Sequence, residues 1–467
     1  MKTCLAFLLI AATLTAARAG DRVYTAEQSS NTVSVIDPAT NKYLGSIHLG
    51  EDVPVALSPL YRGELLVHGM GFSPDHKTLD VISIGSNSVT LIDTETNTVK
   101  GKVYVGRSPH EGFFTPDGHE LWIAVRGENY VSVIDPVQMK EVRRIETANG
   151  PGMVMFRPDG KYAFVPSSFT PEMDVIDTAT HQVVARVAQA SPFSPNLAVD
   201  QNEVWFTLKD SGRTQVFSAK PPFQKLITLE TGPITNHVTF VDNAKGRFAY
   251  ITVGGKDEVL AFTRDADASP KLVATIKSGD LPHGIWGSGD GSRVYIGLEN
   301  GDAVQAIDTT TNRIIATIPV GQLPQALVYV PDATVDDKGT ANLKPLGPAA
   351  EALHVELVPP GKSDSSAHAS VSINSLGLID NLQIAATGLK PGKKYRLILV
   401  GGVKPEGLVV LNAGIGGAAI AQTLGPLKQI VTGSTVAPAM KLEVWSGEKG
   451  DGELILGQAE TSPAASR

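Results

Sequence analysis

SPHEGFFTPDGHELWIAVRGENYVSVIDPVQ, residues 108–138, decides how this chain folds. It opens on a Ser-Pro-His turn, runs into a short strand, turns at Thr-Pro-Asp-Gly and continues as two strands of mostly alternating residues. Alternation with period two marks a half-buried β-strand, and Pro, Asp, Gly and Asn mark the turns between strands. The closing Ile-Asp, after Val, Leu or Ala, and its turn recur at Asp37, Asp93, Asp177 and Asp308, with degenerate copies near Phe217 and Phe262. The Pro-Asp-Gly type of turn recurs at Asp75, Asp159 and Asp290. Copies of about 40–45 residues, each with about four short strands, are the signature of propeller blades. One blade cannot bury both its faces, whereas seven packed round an axis do.

The register of the repeat also predicts how the ring closes. The strands from Arg22 begin in mid-blade, and the last repeat strand, Gln325 to Val330, lacks the rest of its blade. Pairing the two ends completes a seventh blade and leaves no open sheet edge. The expected fold is therefore all-β: a seven-bladed propeller over residues 20–331, closed between its N-terminal strands and its last repeat strand, and followed by a small β-sandwich.

The motifs SVIDPATN, TPDGHE and RPDGKY, with strands such as AYITVGG and VYIGLEN, closely resemble the YVTN-repeat β-propeller family. The resemblance runs from Arg22 to Pro331 and departs from the pattern in blades four and five, where the turn Asp and Gly are partly lost. It implies a seven-bladed propeller of the exported, surface-layer-like or YncE-like kind. It implies no one chemistry, because the family is mostly described as binding or surface proteins.

One slot in the repeat is chemically unusual. At the start of each innermost strand stand His68, His110, Gly152, Asn196, His237, His283 and Gln325, at intervals of 41–46 residues. The chain has only ten histidines, so four in seven chosen places is far above chance. Innermost strands line the central channel, so these residues are expected to converge near one mouth. Imidazole is the commonest metal ligand, and an all-nitrogen donor set favours copper, then zinc. His68, His110, His237 and His283 are the expected ligands. Met70, two residues after His68, is expected on the same side of its strand, as a soft donor suited to Cu(I). The bland alternative is that these histidines were inherited by duplication and bond a neighbouring blade's backbone. Glu111, Arg126, Lys209 and Glu299, with Glu27 and Gln28, are expected near the same mouth, orienting imidazoles or binding a polar ligand. Tyr24, Trp122, Phe164, Trp205, Tyr250 and Tyr295 share one strand position and read as core between blades.

Composition narrows the function. Residues 1–19 have a lysine, an apolar run and Ala17-Arg18-Ala19, and read as a secretory signal peptide, which predicts a periplasmic or secreted protein. The only cysteine, Cys4, lies inside that leader, which excludes disulfides, thiolate metal sites and cysteine nucleophiles from the mature chain. A formal charge of −8 without basic runs disfavours nucleic acid and anionic membrane as partners. No nucleophile-and-base pair or P-loop is visible, so catalysis has no local signature. Three readings stay open: a metal-binding propeller, a lactonase- or lyase-like enzyme using a channel metal or histidine base, and a scaffold for protein or cell wall.

Residues 332–350 are polar and rich in Pro and Gly, and read as a linker. Residues 351–458 carry about seven short strands and read as the sandwich. LKQIVTG is expected among the strands, and residues 413–427 as a loop or short helix. His354 and His368 are expected to be ordinary surface or edge histidines. Residues 459–467 are expected to be a disordered tail.

Overall fold

The computed structural model describes residues 20–50, 63–193, 196–264, 269–361, 365–376, 379–435 and 438–459. The leader at 1–19 and the tail from 460 lie outside the described residues. Seven four-stranded antiparallel sheets form the propeller. Counted from His68, blades one to six span residues 67–104, 109–146, 155–188, 197–230, 235–277 and 282–319. The seventh is composite: Pro324–Val330 is its innermost strand, and Arg22–Glu27, Thr32–Asp37 and Lys42–His48 complete it. Arg22 pairs with Val330 and Tyr24 with Val328, so both ends of the repeat region meet in one sheet, as the register predicts.

The recurring Asp-turn motif has a physical explanation. The Asp carboxylate caps its own turn, as when Asp93 accepts from the Thr96 N–H and Asp308 from the Thr311 N–H. The turn then needs a residue with positive φ, supplied by Asn41, Asn97 and Asn312; asparagine tolerates that region. Each of these asparagines also accepts a hydrogen bond from a tyrosine of the preceding blade: Tyr295, Tyr24 and Tyr250 respectively. The aromatic column is thus inter-blade core bolted to the next turn. Between blades two and three the turn residue is His181, which stacks on Trp122 and pairs with Glu120 at 2.9 Å. In blade one the column's place is taken by Asp80, fully buried, its carboxyl pushed well up by desolvation.

The second domain is one eight-stranded sheet, sandwich- or barrel-like. Its edge strands, Glu406–Asn412 and Ala419–Gly425, lie side by side, so the sheet nearly closes round a core that includes Leu357, Ile373, Ile384, Leu397, Leu411 and Val444. Sequence reading misplaced two segments here. Leu427–Thr432 is a helical turn, not a strand, because it buries Leu427 and Val431, one helical turn apart. Ala419–Gly425, within the stretch expected to be loop or helix, is a strand with alternate residues turned inward.

The segment 332–350 is not a free tether. Thr334 and Val335 bond Glu95, Asn342 bonds the Thr96 carbonyl, and Lys344 pairs with Ser46 of the outermost strand of blade seven. It straps the second domain to the propeller across blades one and seven.

Candidate functional site

A register slip opens the innermost strand in five blades, between Val67 and Met70, Pro109 and Gly112, Thr235 and Val238, Pro282 and Ile285, and at Thr25–Glu27 opposite Pro324. Bulges re-aim side chains, and the four in strands that carry a slot histidine turn it to the axis. The imidazoles converge: ring centroids are 4.4 Å apart for His68 and His110, 4.6 Å for His237 and His283, and 6.1 Å for His68 and His283. Glycine after the slot lets neighbouring strands come this close. A Cβ on Gly69 would collide with the His110 carbonyl oxygen, and one on Gly284 would lie 2.5 Å from that of Gln325.

Hydrogen bonds fix the tautomers, since a carbonyl only accepts. His110 donates through Nδ1 to the Gly152 carbonyl at 2.6 Å, and His283 through Nδ1 to the Gln325 carbonyl at 2.9 Å. Both therefore carry a lone pair on Nε2. His237 is the reverse. Asn196 accepts from the Val238 N–H, so its Nδ2 donates to His237 Nδ1 at 3.2 Å, and the ring's proton sits on Nε2. That N–H faces Glu111 Oε1 at 3.6 Å. Nδ1 of His68 is buried without a hydrogen-bond partner, as are His237 Nε2, Glu111 Oε1 and Glu299 Oε2.

All four histidines are held neutral. Burial depresses His68 to about 3, and puts His110, His237 and His283 well below the usual range, with neighbouring imidazoles and the Arg126 and Lys209 cations adding to the effect. Burial raises Glu111 to about 8, helped by the charge of Asp80 and opposed by Arg126. Arg126 lies over the Phe193 ring at 4.9 Å and is drawn down to about 10 by burial. Lys209 is lowered by burial and faces Glu299 and Arg126. Glu299 Oε2 stands 3.9 Å from His283 Nε2.

Other expected site residues are placed differently. The slip between Val67 and Met70 breaks the alternation that put Met70 beside His68. Met70 is buried in the core with Tyr24 and Val81 and borders the channel below. Glu27 turns into its own blade, accepting from Thr32 and Ser34. Gln325 serves the site through its backbone carbonyl. Sequence reading missed the lower channel, where Phe113, Met155, Val199, Phe240 and Trp286 each stand three residues after their slot. That offset holds in five of the seven blades and was available as a signal.

It also missed the cover. The second domain sits on the loops of blades four to six at the imidazole end. Gln383 donates to Glu299 Oε1 at 2.7 Å and to Asn300, and Asn300 donates to Ser370. His354 meets Asp302 at 3.1 Å and His368 meets Asp257 at 3.3 Å, so neither histidine is an ordinary edge residue. Burial pulls His354 down, but the Asp302 bond and the charges of Asp302 and Asp280 leave it raised; the Asp257 bond, with Asp257, Asp280 and Glu356 nearby, raises His368. Burial lifts Asp280 to about 6, with Asp257 and Glu356 adding and the two histidines opposing. The signs agree. The histidine contribution is complete below their ordinary range near ~6.5 and is lost as pH rises through the raised values. Asp280 ionises at a cost as pH passes upward toward 6. Docking is expected to be tightest in mild acid and to loosen as pH rises through the raised histidine values. Hydrogen exchange of the amides around Ser370 and Gln383, corrected for intrinsic rates, should be several-fold faster at the higher pH; equal protection would refute the assignment.

Among the described residues, no three His, Cys, Asp or Glu side chains present their donor atoms as a metal requires. Nδ1 of His68 makes no hydrogen bond that would fix that ring. Among the described residues, no helix is long and apolar enough to cross a membrane.

Residues 119–320 match the family described as YNCE-like beta-propeller. No curated protein sequence matches. Among solved structures, a functionally unknown protein from Desulfotomaculum acetoxidans is 12% identical, with a TM-score of 0.56, over 66% of this chain and 98% of that one. A periplasmic gluconolactonase from Pseudomonas aeruginosa is 18% identical, with a TM-score of 0.53, over 66% and 99%. Hydrazine synthase from Kuenenia stuttgartiensis is 20% identical, with a TM-score of 0.39, over 68% and 89%. For the first two, at these identities, the likeness is one of fold alone.

Proposed function

Because residues 119–320 match the YNCE-like beta-propeller family, we propose that this chain is an exported binding protein that holds one metal ion, copper before zinc, at the imidazole end of its channel. The carrying observation is the pair of Nδ1–H bonds from His110 and His283 to backbone carbonyls. Ligating histidines typically spend their second nitrogen in this way, which fixes the ring and aims the other lone pair. His68, His110 and His283 would hold the ion, with Glu299 beside them; His237 presents an N–H instead. The two pairs that involve His68 fit in size. Two imidazoles on one ion with bonds of ~2.1 Å have centroids no more than roughly 6 Å apart. The separations of 4.4 and 6.1 Å lie at or within that span. Neutral imidazoles bind without first losing a proton. A bound dication would draw the raised Glu111 carboxyl toward its ionised form.

Chelator-treated protein titrated with Cu(II) and Zn(II) should take up one ion per chain, copper more tightly. A His110→Ala, His283→Ala variant that keeps its circular dichroism should bind about a hundredfold more weakly or worse, a loss of roughly 2.7 kcal/mol. A wild type that binds neither ion, or a variant that binds as well, ends the proposal.

A second reading, a channel enzyme acting on a small lactone, is favoured by one observation. Glu111, raised to about 8, faces His237 with both atoms unpartnered, as an acid–base pair would. Turnover on a lactone panel that falls with Glu111→Gln would favour it.

A further inference from the structure

Below the imidazoles the channel widens into a chamber of about 210 Å³, which the metal proposal does not use. Its ceiling is polar and buried, with His237 4% and Glu111 2% exposed. Its walls are apolar: Phe113 and Trp286 are stacked 5.9 Å apart at 15°, and Met153 and Met155 lie alongside. Phe240 and Trp286 at the lower rim are half-buried, so the chamber opens at the mouth opposite the second domain. A cavity of ~150 Å³ lined by apolar side chains holds benzene. This one has room for a single ring with a small substituent.

The ceiling selects the substituent. His237 Nε2–H is a donor without an acceptor, Glu111 Oε1 is an acceptor without a donor, and they stand 3.6 Å apart. A hydroxyl is the smallest group that satisfies both, because its oxygen accepts one hydrogen bond while its proton makes another. A carboxylate brings a second acid group and a buried negative charge against Glu111 and leaves Glu111 Oε1 without a donor. An ammonium only donates and leaves His237 unmet. A bare ring satisfies neither.

We propose that this chamber binds a neutral monocyclic aromatic alcohol of the phenol class, its ring against Trp286 and the methionines and its hydroxyl bridging His237 and Glu111. Binding does not require the ion, since the ligand uses His237 and the chamber walls. The two proposals therefore fail separately.

Calorimetric titration of chelator-treated full-length protein with phenol, benzene, benzoate and benzylamine tests it. Phenol should bind, and the other three should bind about tenfold more weakly or worse, because buried polar groups left unpaired penalise analogues lacking the hydroxyl. Glu111→Met should bring phenol down to the benzene level while benzene binding persists, which also reports an intact chamber. Thr239→Trp, placed at the half-buried rim, should block every probe without touching the ceiling. Phenol binding no better than benzene, no probe binding at all, or phenol binding untouched by both substitutions overturns the proposal.

Discussion

Truncating Tyr24 to alanine is expected to cost about 3–5 kcal/mol of folding stability, the range for removing a large ring from a packed core. The reason lies in where the ring sits. Tyr24 is fully buried on the second strand of the composite blade, paired with Val328 on one side and Val35 on the other. Its hydroxyl reaches across to blade one, donating to Asn97 at 3.2 Å with the Thr94 carbonyl at 3.3 Å. One side chain therefore ties together both ends of the repeat region and the first complete blade. Alanine leaves a cavity and orphans the acceptors. Tyr24→Phe keeps the packing and gives up only the hydrogen bond, so it should cost about 1 kcal/mol. Denaturant melts of both variants check the pair. An alanine variant as stable as the phenylalanine one would mean that the closure does not bear on stability.

Gly69→Val is expected to cost about 3 kcal/mol or more and to weaken metal binding together with the fold. Overpacking usually costs 1–3 kcal/mol because a side chain rotates or the backbone shifts a little. Here the atoms met are backbone: the His110 carbonyl oxygen, and Glu111 Cα at 3.0 Å. They cannot rotate aside, so the innermost strands of blades one and two must part, and His110 moves with its strand. Gly297→Ala is the matched control. It too lies in a propeller strand, but its added Cβ would meet nothing nearer than 3.5 Å, so a change within about 0.5 kcal/mol is expected. Thermal melts and copper titrations of both variants check the contrast; a Gly69→Val protein with wild-type affinity would detach the ring geometry from the site.

What was legible in the sequence was what repeats. The blade period, the composite closure and the convergence of His68, His110, His237 and His283 all follow from one spacing, and every blade votes on it. Features that break the period were not legible. Met70 was misread because a bulge after Val67 cancels simple alternation. His181 fills a place that asparagine fills elsewhere and stacks on Trp122. The tautomers of His110 and His237 differ because one ring donates to a glycine carbonyl and the other accepts from an asparagine amide, and no local pattern encodes that contrast. The cover over the imidazole end depends on Gln383, His354 and His368 meeting loops 50–110 residues earlier in the chain. Docking at that distance leaves no trace in the periodicity of either partner.

X-ray absorption at the copper edge of protein reconstituted with one equivalent of Cu(II) tests the metal assignment most directly. Nitrogen scatterers at about 2.0 Å with the outer-shell pattern of two or three imidazoles, reduced in number by His110→Ala, are predicted. A copper shell of oxygen alone, unchanged by that substitution, would contradict it.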